Sequence, residues 1–137
     1  MKKSSIATNS ENLLLYGIVS FEKDYRLVYF INKIAGIELT KSNDLLNFSF
    51  QQSIIEVPFY EYIDFDFEYF LIANKQNGVN ILDKLKNINY WLVLKKKAFE
   101  FDLTEFERKI NSLAVVLGCF HISDEKEREK LAKLLFC

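Results

Sequence analysis

The spacing of apolar residues changes near the start of the chain. A continuous apolar run is followed by apolar residues at the spacing of one helix face. Residues 13–20 are apolar and β-permissive, which predicts a first strand. After Phe21, apolar residues recur at i, i+3, i+4 and i+7, which predicts one buried face of a helix. We expect Ser20 to cap this helix and Gly36 to end it in the left-handed conformation. The predicted face consists of Leu27, Phe30, Ile31 and Ile34.

The middle of the chain alternates apolar segments with turn signals. Residues 45–50 and 54–62 flank Gln51-Gln52-Ser53 and predict a hairpin, in which Pro58 marks an edge position or a bulge. The apolar-rich stretch 54–73 is too long for one strand, so we expect a reversal near residues 63–67. Further strands are predicted at residues 69–73, 88–94 and 114–122.

The last third of the chain predicts one more long helix. Thr104 and Glu107 form a Thr-x-x-Glu capping box, and Phe106, Ile110 and Leu113 fall on one face behind it. Residues 124–130 are all charged, so we expect at most a solvated turn of helix there. Residues 131–136 are expected to close the chain as an edge strand.

This order of elements predicts an α+β fold. We expect an antiparallel or mixed sheet with two main helices on one face, ferredoxin-like with an extra hairpin. The 137 residues fit one domain, with residues 1–12 as a disordered tail and 13–137 as the single α+β domain.

The predicted sheet is apolar on both sides. Residues 69–73, 90–94 and 115–120 show no apolar–polar alternation, which is typical of strands buried on both faces. Two helices on right-handed crossovers would cover only one face, and monomers rarely expose so large an apolar area. The pattern therefore predicts a homodimer or a protein partner over the bare face. Curling into a barrel, coverage by the terminal segment and a small apolar ligand are the alternatives.

Charge and composition exclude several function classes. The net charge of −1, from 18 Lys and Arg against 19 Asp and Glu, gives no bulk field for nucleic acid or anionic membranes. Two cysteines cannot build a disulfide framework, and four glycines form no phosphate-binding loop, so no cofactor is predicted. The polar N-terminus and the lack of a run of about 18 apolar residues predict a cytoplasmic location.

Two clusters have the residue types of catalytic chemistry. Asp64, Asp66 and Glu68, spaced two apart, would present oxygen ligands to Mg²⁺ or Ca²⁺ on a continuous strand. We favour a solvated hairpin tip and keep a small metal-dependent enzyme as an alternative. Cys119 and His121 would share a strand face, but we favour a core thiol beside a strand-end histidine. We therefore predict no catalytic residues and no metal site.

Aromatic residues beside cations form the predicted interface. Tyr25, Arg26 and Tyr29 lie off the apolar face of the first helix, a combination enriched in protein interfaces. We favour a plain exposed face in which Arg26 pairs with a nearby acid, and keep a contact patch as the alternative. Tyr90 and Trp91, followed by three lysines at 95–97, resemble a stacking platform, which gives a weak single-stranded nucleic-acid binder as a second alternative. Our main prediction is a non-enzymatic homodimeric or partner-binding module.

Short matches along the chain carry a family resemblance. They are Asp24-Tyr25-Arg26-Leu27, Asn32-Lys33, residues 69–75 (YFLIANK) and Ile88-Asn89-Tyr90. Through them the chain resembles, over most of residues 13–136, the small bacterial proteins named for an IPExxxVDY signature. This chain has Leu82, Asp83 and Lys84 where the signature has Ile, Pro and Glu, and Ile88 and Asn89 where it has Val and Asp. The resemblance implies a fold and no catalytic residues, because the family has no established activity.

Overall fold

The computed structural model describes residues 13–97 and 103–136, which form an α+β fold. The predicted N-terminal tail lies outside the described residues. The helices are α1 (Asp24–Ala35), α2 (Thr104–Asn111) and α3 (Glu125–Phe136), with a 3₁₀ turn at Asp83–Leu85. The strands are β1 (Leu13–Val19), β2 (Thr40–Lys41), β3 (Leu46–Phe50), β4 (Ser53–Val57), β5 (Tyr60–Ile63), β6 (Phe67–Ala73), β7 (Lys75–Gln76), β8 (Val79–Asn80), β9 (Tyr90–Lys96) and β10 (Gly118–Ile122).

A six-stranded antiparallel sheet organises the molecule. Its strand order is β10-β1-β9-β6-β5-β2, and every pair of neighbours runs antiparallel. The strands β3 and β4 form a separate hairpin, and β7 and β8 form a second, shorter one. An antiparallel sheet with helices confirms the α+β prediction.

Helices α1 and α2 cover the first face of the sheet. Leu27 and Ile31 of α1 and Ile110 of α2 pack there against strand residues that include Leu71 and Leu92. Gly36 ends α1 with φ 70°, as predicted, and its N–H donates to the carbonyl of Asn32. The left-handed conformation explains the glycine at this position.

Two details of α1 differ from the prediction. Lys23 occupies the N-cap position, whereas the Ser20 hydroxyl donates to the carbonyl of Val115, 2.7 Å away. Val28 is buried with Leu27 and Ile31, while Phe30 is only half-buried. The buried stripe is therefore rotated toward Val28, and Leu27, Val28 and Ile31 all belong to the core of the first face.

The second face of the sheet is covered by the chain itself. Leu131 and Leu135 of α3, Val57 of β4 and Leu82 pack against strand residues that include Trp91. This corrects the prediction of a bare face and, with it, the sequence-based argument for a companion. It also corrects the predicted edge strand at residues 131–136, which belong to α3.

The full length of helix α3 was missed because its first half, residues 125–130, is entirely charged. The carboxylate of Asp124 accepts hydrogen bonds from the N–H groups of Lys126 and Glu127 and so caps the helix. Glu127, Leu131 and Leu135 recur at four-residue spacing and form its buried face. The helical structure of residues 125–130 extends beyond the single solvated turn of helix that we expected, because it continues without a break to Phe136.

The strands in the middle of the chain, β3 to β6, lie close to where the sequence predicts them. The β3–β4 hairpin turns at Gln51 and Gln52, Pro58 separates β4 from β5, and β5 reverses into β6 at residues 64–66. The last predicted strand is shorter than expected, because residues 113–117 form a turn before β10. Leu103, and not Thr104, stands at the N-cap position of α2.

Candidate functional site

A groove of about 480 Å³ lies between the β3–β4 hairpin and α3. One wall is β3, the other is the second half of α3, and the segment that follows β7–β8 closes one side. This volume lies within the range of ligand-binding clefts, roughly 300 to 1,000 Å³. The lining residues are Asn47, Phe48, Ser49, Phe50, Asn80, Ile81, Asp83, Lys130, Lys133 and Leu134.

The groove runs along the edge of β3. Four consecutive residues of this strand, 47–50, line it. Neighbouring side chains of a strand point to opposite faces, so a surface touched by all four residues must include the backbone edge. Side-chain burial agrees, since Phe48 and Phe50 pack toward the core of the second face whereas Asn47 and Ser49 are exposed.

The hairpin turn determines which backbone groups face the groove. Gln51 and Gln52 both have positive φ, 49° and 68°, which is the pattern of a two-residue type I′ turn. In such a hairpin the closing pair, Phe50 and Ser53, is hydrogen-bonded, and hydrogen-bonded pairs then alternate along the ladder. Asn47 and Ser49 are therefore in non-hydrogen-bonded pairs, and their N–H and C=O groups point away from β4.

The two edge strands of the main sheet, β10 and β2, differ from β3 in this respect. Strand β10 is bound near its start by Asn111, whose side chain accepts from the N–H of Cys119 at 2.9 Å and donates to its carbonyl at 3.2 Å. Strand β2, at the opposite edge, has only two residues. Covering an edge and shortening it are both common ways to prevent unwanted strand pairing. Strand β3 has five residues, and among the described strands only β4 pairs with it, so its second edge opens into the groove.

The floor and far wall of the groove combine aromatic and cationic groups. The rings of Phe48 and Phe50 stack at 6.4 Å with an interplanar angle of 18°. Leu134 adds an aliphatic surface, and Lys130 and Lys133 add two positive charges from α3. The groove can therefore accept apolar side chains on its floor and anionic groups beside α3.

The predicted interface residues of α1 form a separate exposed patch. Tyr25 and Tyr29 are 60% and 57% exposed, and the Arg26 guanidinium donates to the carboxylate of Glu22 at 2.6 Å. The ammonium of Lys33 lies 5.8 Å from the centre of the Tyr29 ring. The structure thus brings Tyr25, Arg26 and Tyr29 together on one surface, although Arg26 already has an acidic partner.

Tyr90 and Trp91, the other predicted interface residues, are buried. The Tyr90 hydroxyl donates to the carbonyl of Glu22, and burial raises the pKa of Tyr90 to about 12. The indole of Trp91 has no exposed surface and donates to the side chain of Asn74. Neither ring is available for stacking, so the nucleic-acid platform suggested by residues 90–97 is absent from the surface of the fold.

The acidic cluster is a structural turn. The Asp64 carboxylate accepts hydrogen bonds from the N–H groups of Asp66 and Phe67, both at 2.9 Å, and from the Tyr69 hydroxyl at 2.8 Å. Lys97 donates to the Asp64 carbonyl. Within residues 13–97 and 103–136, no group of three or more His, Cys, Asp or Glu side chains is arranged to hold a metal ion.

Cys119 and His121 do not form a nucleophilic pair. Burial, and then the negative charge of Glu107, raise the pKa of the Cys119 thiol to about 12, so the thiol is protonated at neutral pH. The His121 ring packs against Tyr16, with ring centres 5.5 Å apart. As expected from the sequence, Cys119 is a buried thiol, and His121 lies at the exposed end of β10.

The groove was missed in the sequence because one of its walls was misassigned. The hairpin that bears Asn47 and Ser49 was predicted, but the segment that bears Lys130 and Lys133 was not expected to form a helix. The Glu127, Leu131 and Leu135 spacing was the available signal.

A comparison with models of protein families and with curated proteins found no match. Of the described helices, α3 included, none has the length and apolarity needed to cross a membrane. The candidate function must therefore be argued from the groove itself.

Proposed function

We propose that this protein is a non-catalytic binding module that captures an extended segment of a protein partner along β3. The observation that carries the proposal is the second backbone edge of β3, which pairs with no described strand and lies at the side of a groove. An extended peptide can add to such an edge as a further strand, with main-chain hydrogen bonds supplying affinity and adjacent pockets supplying specificity.

The edge offers a defined set of hydrogen-bonding groups. Asn47 and Ser49 each direct one N–H and one C=O away from β4, which makes four groups for an incoming strand. Residues 47–50 span roughly 10 Å, at about 3.3 Å per residue, so the contact covers about four residues of the partner. Alternate side chains of that partner segment would face Phe48, Phe50 and Leu134.

The remaining chemistry supports binding over catalysis. Cys119 is a protonated, buried thiol, and the carboxylate of Asp64 is engaged in the turn that it forms. A homodimer was predicted from a bare sheet face, and α3 with the hairpin covers that face. The proposal therefore does not assume a homodimer. Pairing of two copies through β3 is one result that the test can detect.

Selection from a library of displayed random octapeptides tests this function. Selected peptides should bind the wild-type chain in calorimetry and bind Ser49→Pro at least tenfold more weakly, because proline removes an outward N–H and its ring blocks the groove edge. Ile54→Pro is the matched control. Ile54 lies directly opposite Ser49 in the hairpin and directs its backbone groups to the outer edge of β4, a strand that does not line this groove.

The proposal fails if no peptide is enriched above an unrelated protein, or if both proline variants weaken binding equally. Circular dichroism and urea unfolding of both variants establish that each is folded before binding is compared. Light scattering completes the test. A mass of twice 16.2 kDa that is lost in Ser49→Pro alone would show that the partner is a second copy of this chain.

We also propose that the central strands follow a ferredoxin-like plan with additions. The order β10-β1-β9-β6, with α1 after β1 and α2 between β9 and β10, supports this description. On that plan, β2 and β5 extend the sheet beyond β6, and the β3–β4 hairpin is the extra element. Membership of the IPExxxVDY family stays a proposal that rests on the residue matches alone.

A further inference from the structure

The charges along the groove distinguish one class of partner segment from others. Lys130 and Lys133 line it from α3, and among the described lining residues Asp83 is the only acidic one. The lining residues alone hold two cations and one carboxylate, and the buried Glu127 behind Lys130 offsets one of these cations, which leaves Lys133 on the α3 wall. An anionic side chain on the partner is therefore favoured near α3.

The two lysines have different roles. The Lys130 ammonium lies 3.8 Å from the Glu127 carboxylate, which is 2% exposed. Neither oxygen of that carboxylate accepts a hydrogen bond within the described residues. Withdrawing Lys130 would leave a buried charge without compensation, which is costly, so Lys130 is held to Glu127.

Lys133 is the cation left for a ligand. It is exposed, it lines the groove one helical turn beyond Lys130, and within the described parts of the chain it forms no ion pair. Helix α3 lies on the Phe48 side of the hairpin, since Leu131 and Leu135 share one core with Phe48. The side chains of an added strand that face the same way as Phe48 would therefore meet Lys133 and Leu134.

We propose that the captured segment is acidic, with a Glu or Asp side chain opposite Lys133 and an apolar side chain two residues away over Leu134. This inference rests on the proposed function, since it specifies the sequence of the strand that pairs with β3. Spacing by two follows from strand geometry, in which alternate residues share a face.

The test uses a capped octapeptide that repeats Thr-Glu-Thr-Val, and two matched peptides with Gln or Lys in place of Glu. Calorimetry on the wild-type chain should rank the Glu peptide first and show its affinity falling with added salt. Lys133→Glu should weaken the Glu peptide roughly fivefold to tenfold and strengthen the Lys peptide. Lys126→Glu makes the same charge change on α3 outside the groove lining, and it should leave both affinities unchanged.

Each other outcome overturns the inference in a distinguishable way. Equal binding of the Glu and Gln peptides, still lost in Ser49→Pro, would refute the acidic preference and retain strand addition. If Ser49→Pro weakens the binding of no peptide, both the acidic preference and strand addition at β3 are refuted. An oligothymidylate that binds and is released by Lys133→Glu, but not by Ser49→Pro, would replace the acidic segment with nucleic acid.

Discussion

The indole N–H of Trp91 donates to the side-chain oxygen of Asn74 at 2.8 Å, and neither residue has any exposed surface. The same oxygen accepts from the N–H of Leu82 at 3.0 Å. The Asn74 amide nitrogen donates to the carbonyls of Leu85 and Ile88. The side chain of Asn74, the residue directly after β6, thus fixes the segment 82–88 over the sheet, next to the closed side of the groove.

We predict that Asn74→Ala lowers the free energy of unfolding by about 3 kcal/mol, since it leaves several buried polar groups without partners. Urea unfolding measures this loss. Asn87→Ala, an exposed asparagine in the same segment, should change stability by less than about 0.5 kcal/mol. Similar values for the two variants would mean that Asn74 does not hold the segment.

Gly17 is required by close packing and not by backbone conformation. A Cβ atom at this position would lie 2.8 Å from Ile88 Cδ1 and 3.0 Å from Trp91 Cζ3. Gly17→Ala should therefore cost about 1 to 3 kcal/mol in urea unfolding. Ile88→Val removes the nearest atom, so the double variant should lose less than the sum of the single losses. Strict additivity would contradict the proposed contact.

The rotated buried face of α1 predicts different losses of stability for alanine substitutions at two neighbouring residues, Ile31 and Phe30. Ile31 is fully buried in the core of the first face, so Ile31→Ala should cost about 2 to 5 kcal/mol. Phe30 is half-buried beside Tyr29, so Phe30→Ala should cost about 1 kcal/mol, and not the 3 to 5 expected for a core phenylalanine. A larger loss for Phe30→Ala would restore the helix face expected from the sequence.

Stability should fall at alkaline pH. Burial raises the pKa of Tyr90 from 10.0 to about 12 and that of Cys119 from 9.0 to about 12. Between pH 9 and 12 the unfolded chain therefore binds fewer protons than the folded chain, and the free energy of unfolding decreases as pH rises. Below pH 9 these two groups contribute their full stabilisation.

Urea unfolding at a series of pH values from neutral to pH 11 measures this decline. Cys119→Ala and Tyr90→Phe should each make it shallower, because each removes one titrating group. Tyr25→Phe, which changes an exposed tyrosine, is the control. A decline that is equally steep in all three variants would assign it to other groups.

The sequence predicted the parts of the fold that depend on local signals. Gly36 at the end of α1, the hairpin at Gln51 and Gln52, and the reversal before β6 are each determined by a few neighbouring residues. Helix α3 was not predicted, because Glu127 places a charge on its buried face and its apolar positions begin only at Leu131.

The candidate site was harder to predict than the fold. The β3 edge becomes a site only when α3 lies beside it, and these elements are separated by some 80 positions in the chain.

Trp91 illustrates the opposite error, a surface site that the sequence suggests and the fold does not have. An aromatic residue next to basic residues suggested a surface platform, but its indole N–H has a buried partner in Asn74, which no local pattern indicates.

Hydrogen exchange of individual amides in the β3–β4 hairpin, followed by NMR with and without a selected octapeptide, tests the binding role of β3 most directly. Saturating peptide should slow exchange at Asn47 and Ser49 on the order of tenfold or more, because new main-chain hydrogen bonds protect them. Exchange at Ile54 and Glu56, on the opposite edge, should stay unchanged. Tight peptide binding without protection of Asn47 and Ser49 would contradict strand addition at this edge.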